Sequence, residues 1–260
     1  MRLLPRRLRP GEEATLVEHL GELRTRIIVS LLSIAVCFGF TYAFRAHLIH
    51  WLEQPLPQGR RKLVTFSPAE PFITSFMVSF YASFLLSFPI ILWQVWSFLA
   101  PAFNVHTQRI VAGFTAFAAF LMAGGVLFGY FVALPAAVHF LTNYDSSLYE
   151  INIRARDYLG FASLVLLAVG VVFEVPIVVL GLVRLKVLTA AKLKRNRRLG
   201  YVIMAAIAVA LPGVDPVTTT VEMIPLMVLF EGSIWLSVFF EKRWARHAAI
   251  REAAFEAGDF

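Results

Sequence analysis

Apolar residues fall along the chain in long runs, separated by short stretches that carry most of the charge. A helix crossing roughly 30 Å of hydrocarbon needs about 20 mostly apolar residues. Such runs cover about 27–44, 72–93, 110–134, 158–183 and 217–240, and a shorter one covers 200–211. The pattern predicts an all-α, polytopic membrane protein: six transmembrane helices in one integral domain over 1–260. Residues 1–26 form an N-terminal segment and 241–260 a tail. The fifth run is short, because twelve residues rise only about 18 Å as a helix. Either it extends back to Arg198, or the bilayer thins beside it. Its connection to the last run, Pro212 to Pro216, reads as a tight turn.

Prolines at 89, 135, 176 and 225 interrupt the runs. Kinks there predict a concave, cup-like bundle, since freed carbonyls can be re-satisfied by neighbouring helices. The competing explanation is that proline is simply commoner in membrane helices. Between the first two runs, 55–62 and 67–71 are proline-rich and predict a rigid, ordered cap.

Composition narrows the class. Of 260 residues, 58% are hydrophobic and only 16% charged, which excludes a soluble globular enzyme, a disordered chain and a disulfide scaffold. The net charge of +7 invites a nucleic-acid reading. Yet Lys and Arg cluster at the ends of apolar runs, so the basic surface meets a lipid bilayer and no nucleic acid is expected. Eighteen of them fall on the segments shared with the two termini and six on the alternate loops. Both termini are therefore expected in the cytoplasm. The first run is expected to be retained, because its exit at Tyr42–Arg45 offers no small-x-small cleavage pattern. Cys37 is the sole cysteine and cannot form an intramolecular disulfide. His19, His47, His50 and His106 fall in three separate regions, and no hydrolase, P-loop or dinucleotide motif is present. Neither catalysis, a metal nor a cofactor is expected.

Polar residues at odd places are the candidates for function. Thr15 and Glu18 have capping-box spacing, which predicts a helix start. Leu16, Leu20, Leu23 and Ile27 then share a face that would lie along the membrane surface. Glu18 and Glu22, four apart, repel weakly, and spacing alone favours a Glu22–Arg26 pair. Glu174 lies within an apolar run, where a carboxyl costs about 2.5–3.5 kcal/mol on insertion scales and must face protein or water. Its role is either an intramembrane polar site or a structural hydrogen bond. Glu222 and Glu231 in the last run carry a weaker signal of the same kind.

Several segments resemble the TatC family of the twin-arginine, Sec-independent protein translocase. His19-Leu-Gly-Glu-Leu-Arg24 is similar to that family's N-terminal signature, and Ser67-Pro-Ala-Glu-Pro-Phe72 to its first outer loop. Ser87 through Pro101 resembles the second span with the inner loop after it. Tyr130 to Pro135, Phe173-Glu-Val-Pro176, Asp215, Pro225 and Phe230-Glu231 follow in the same order.

The resemblance implies a non-enzymatic receptor and core subunit that moves folded proteins across the bacterial cytoplasmic membrane using the proton motive force. It implies partners: twin-arginine signal peptides, TatA-type and TatB-type single-span subunits, and further copies in a larger complex. It assigns signal-peptide binding to Glu22, with Glu18, Arg24, Phe98, Thr107 and Gln108 around it. Glu174 matches the family's intramembrane acid, and Thr218, Thr219, Thr220 and Glu231 fall where a partner helix docks. Two departures stand out. Thr107 occupies a position where the family often has a second acid, and Leu211-Pro-Gly-Val-Asp215 replaces Thr-Pro-Pro-Asp. The rival is a proton-coupled small-solute transporter using Glu174, a class that usually shows internal repeats; none is evident in this sequence.

Overall fold

The computed structural model describes residues 16–57, 62–99, 108–148, 151–213 and 215–256. Their regular structure is helical: α1 (Leu16–Ala43), α2 (Arg45–Glu53), α3 (Glu70–Leu99), α4 (Gln108–Phe128), α5 (Leu134–Asn143), α6 (Ala155–Val172), α7 (Val175–Arg184), α8 (Ala190–Arg195), α9 (Arg197–Ala210) and α10 (Pro216–Glu256). A π-helical turn, Gly129–Ala133, joins α4 to α5. Five described stretches are long and apolar enough to cross a membrane: His19–Ala43, Glu70–Leu99, Val111–Asn143, Ala155–Arg184 and Pro216–Trp244. The short fifth run forms α9, which starts at Arg197 and has 14 residues, a rise of about 21 Å.

Two local expectations change. The segment expected to lie along the membrane surface is continuous with the first long helix, because α1 runs unbroken from Leu16 to Ala43. Nothing between Arg24 and Ile27 stops it, and the Thr25 and Ser30 hydroxyls bond back to the Gly21 and Arg26 carbonyls at 3.1 and 2.9 Å. Glu174 does not lie inside a helix. It sits between α6 and α7, where Pro176 supplies no N–H and its ring crowds the carbonyl four residues back.

Proline acts differently at the other three positions. Pro135 is the second residue after the π turn, whose extra residue absorbs the same conflict. Pro89 and Pro225 lie within α3 and α10, which continue through them.

Small side chains set the packing. Ser79, Ser83 and Ser87 recur every four residues on α3 and are fully buried. Their hydroxyls bond to carbonyls of their own helix at 2.7, 2.7 and 3.1 Å, leaving a narrow face that neighbours can approach closely. Thr41 of α1 donates to the Ser79 carbonyl at 2.9 Å, and α6 packs on α3 as well. A Cβ on Gly125 of α4 would lie 2.8 Å from Phe173, and one on Gly200 of α9 only 2.0 Å from the Phe230 ring of α10. One apolar core gathers Leu52, Val78, Leu134, Tyr158 and Leu159, and another Met204, Leu226, Phe230 and Ile234.

The loop before α3 is tied down. Val64 pairs with Arg154 in an isolated parallel bridge, and Glu70, only 2% exposed, accepts from Arg154 Nε at 2.9 Å and Nη2 at 3.2 Å. Backbone amides of Phe66 and Arg156 add bonds at 3.0 and 3.4 Å. The hydrogen bond to Glu70 raises the Arg154 guanidinium above arginine's ordinary value. The expected cap is thus ordered across 62–71; residues 58–61 of it lie outside the described residues.

Candidate functional site

Glu22 sits one turn before Arg26, where α1 meets the C-terminal end of α3. Arg26 Nε donates to Glu22 Oε1 at 2.9 Å, and Nη2 makes a shorter bond to the same oxygen. The guanidinium also reaches α3, donating to Gln94 Oε1 at 3.3 Å and to the Ser97 carbonyl at 3.2 Å. An isolated pair at this spacing is worth a few tenths of a kcal/mol. Here it doubles as a tether between helices, with the two side chains still 24% and 21% exposed. Glu22 Oε2 has no hydrogen-bond partner among the described residues. Beside the pair, the His19 ring stacks on Phe98 with centroids 4.4 Å apart and planes at 18°. Arg24 is exposed next to this patch.

The structure therefore brings Glu22 and Phe98 to one junction. Thr15 and Thr107 lie outside the described residues, as do the side chains of Glu18 and Gln108, whose backbones belong to α1 and α4.

Glu174 is 4% exposed, and neither carboxylate oxygen has a hydrogen-bond partner among the described residues. The backbone of Met122 on α4 approaches without satisfying it. A buried carboxyl left unpaired is costly, so this helix break carries an uncompensated polar group.

The start of α10 holds a second polar cluster. Asp215 Oδ1 accepts from the Thr218 amide at 2.7 Å, capping the helix. Asp215 Oδ2, Thr218 Oγ1 and both oxygens of Glu222 are buried without partners among the described residues. Thr219 and Thr220 return their hydroxyls to the Asp215 and Pro216 carbonyls at 3.0 and 2.6 Å. Further along, Glu231 is fully engaged: Arg197 pairs with Oε1 at 3.0 Å, Tyr201 donates to Oε2 at 2.9 Å, and Trp235 donates to Oε1 at 3.1 Å. This network binds α9 to α10. The Glu70–Arg154 and Arg197–Glu231 pairs join residues far apart in sequence, so helical spacing offers no signal for either.

The family described as Sec-independent protein translocase protein (TatC) matches residues 18–225. The chain is 33% identical to the Sec-independent protein translocase protein TatC of Desulforapulum autotrophicum, over 90% of this chain and 88% of that protein. It is 34% identical to the protein of the same name from Deinococcus radiodurans, over 87% of each. A crystal structure of a twin arginine translocase receptor, TatC in DDM, superposes with a TM-score of 0.75 at 31% identity, covering 84% of this chain and 99% of that one.

Proposed function

The chain belongs to the TatC family of Sec-independent protein translocases, and from that premise we propose that it is the subunit that receives twin-arginine signal peptides and organises the export complex. It is a membrane protein of the protein-transport machinery of the Tat pathway. A small-solute transporter built on Glu174 has no support from that membership.

The observation that carries the receptor reading is the Glu22 junction. A carboxylate there is held by Arg26 through one oxygen, about a quarter exposed, at the meeting of α1 and α3. Arginine's planar fork can share such a carboxylate with two hydrogen bonds, whereas lysine offers a point charge. Glu22 supplies the charge, and Glu18 lies one turn earlier on the same helix. Phe98, stacked on His19, gives an apolar and π-rich wall. Arg24 frames the patch, and Thr107 and Gln108 accept neutral hydrogen bonds where relatives often present a second acid.

The remaining proposals concern the frame. Single-domain architecture, six spans and both termini in the cytoplasm rest on the five long helices, on α9 as a short sixth, and on the Lys and Arg distribution. The helix break at Glu174 and the π turn before Pro135 support a concave bundle in the bacterial cytoplasmic membrane, self-associating in a larger complex. Glu174 is the intramembrane acid of this bundle, buried at the break and not on an open face, and it deforms the bilayer beside it. TatA-type and TatB-type helices dock along α9 and α10, where Thr218, Thr219, Thr220 and the Glu231 network concentrate polar groups. Interhelical hydrogen bonds in lipid contribute roughly 0.6 to 2 kcal/mol each.

The test is export of a folded reporter, in cells whose own TatC-type subunit is deleted and replaced by this chain. An Arg-Arg leader is exported and a Lys-Lys leader fails; a chain indifferent to the two leaders is not a receptor of this kind.

A further inference from the structure

The far end of α10 carries a feature that neither the signal-peptide junction nor the intramembrane acid uses. Ala190, Ala191 and Lys194 of α8 face Val238, Glu241 and Lys242 of α10 across an open cavity of about 340 Å³. On α8 these residues are spaced i, i+1, i+4, and on α10 i, i+3, i+4, so each set is one helical face. The alanines keep the floor shallow. Glu241, the cavity's one carboxylate, accepts from the Ala190 amide at 3.0 Å. Lys194 Nζ lies 5.1 Å from the centre of the Trp235 ring, a cation–π distance that holds the ammonium over α10.

An apolar stripe leads away from this cavity. Ile224, Val228, Trp235 and Phe239 are all exposed and separated by four, seven and four residues, which places them on one side of α10. Lys242 follows three residues after Phe239, at the point where the apolar run ends. Trp235 and Phe239 thus sit at the level where aromatic side chains meet lipid headgroups. Around the cavity, Lys192, Arg195, Arg198 and Arg243 are exposed as well.

We propose that this cleft binds an acidic phospholipid, with the phosphate between Lys194 and Lys242 and an acyl chain along Phe239, Trp235 and Val228. The match is amphiphilic: cations at one end, and from there the exposed rings of Phe239 and Trp235, with Val228 two turns further on beyond Glu231. Basic pockets between membrane helices at the membrane surface recognise anionic headgroups by this chemistry. A partner helix could cover the stripe, but it gives no reason for two ammonium groups over an alanine-floored hollow. The inference needs only that α10 spans a bilayer, and it stands whether or not Glu22 binds signal peptides.

The test uses the full chain purified in detergent, with phosphatidylglycerol and phosphatidylcholine of identical acyl chains, read by native mass spectrometry. The wild type retains phosphatidylglycerol preferentially. The Lys194→Gln/Lys242→Gln variant, altered only at exposed positions, loses that preference roughly tenfold or more while keeping its Tm. A photocrosslinker at Val238 captures lipid in membranes. Equal retention of the two lipids, an unchanged preference in the variant, or capture of a protein helix alone at Val238 overturns the proposal. Displacement of the lipid by millimolar inorganic phosphate also overturns it, because the cleft is then a site for a soluble anion.

Discussion

At the scale of single residues, the ion pairs divide by what the sequence could reveal. Glu22 and Arg26 are one turn apart, so their pairing was legible from spacing. Arg26's reach to Gln94 and Ser97 on α3 was not, because it depends on how two helices cross. Glu70 and Arg154 are farther apart still, and only the folded chain puts them together. That pair is asymmetric. Glu70 is 2% exposed, whereas Arg154 at 36% can turn to water. Removing Arg154 strands a buried carboxylate on two backbone amides, and stranding a buried charge costs more than losing both partners. Arg154→Ala is therefore expected to lower Tm more than Glu70→Gln, and the double variant to recover part of the loss. Scanning fluorimetry of the three purified variants checks the order.

Helices and their breaks form the next scale. The long apolar runs announced α1, α3 and α10, and the run 158–183 announced the α6–α7 pair. The run did not disclose that Pro176 divides this pair and leaves Glu174 at the division, since an apolar tract looks the same with or without a break. Glu174 contributes no satisfied hydrogen bond among the described residues. Its removal should then leave folding intact while ending whatever polar function the break serves. Glu174→Ala is expected to keep or slightly raise Tm and to impair reporter export; normal export by a folded Glu174→Ala protein contradicts the assignment. Helix contacts make a second prediction. A methyl group on Gly200 meets the buried Phe230 ring at 2.0 Å, and overpacking of this kind costs about 1–3 kcal/mol. Gly200→Ala should lower Tm, while Gly113→Ala, with nothing within 4 Å of its new Cβ, should not. The shortness of α9 was visible in the sequence; its lock to α10 through Arg197 and Tyr201 on Glu231 was not.

Over the whole molecule, apolar length and charge placement carried most of the argument for a helical membrane protein, because a bilayer imposes the same length on every crossing. Family motifs carried the functional reading, since no spacing rule marks a receptor for arginine pairs. The inner-loop departure at Thr107 concentrates that reading on Glu22. Equilibrium binding of a fluorescent twin-arginine signal peptide to the purified full chain tests it most directly. Replacing Glu22 by Lys puts like charge against both guanidinium groups and is predicted to weaken binding by roughly a hundredfold, about 2.7 kcal/mol, with Tm little changed. Thr107→Glu is predicted to tighten it. An unaltered Kd for the Glu22→Lys protein contradicts the account.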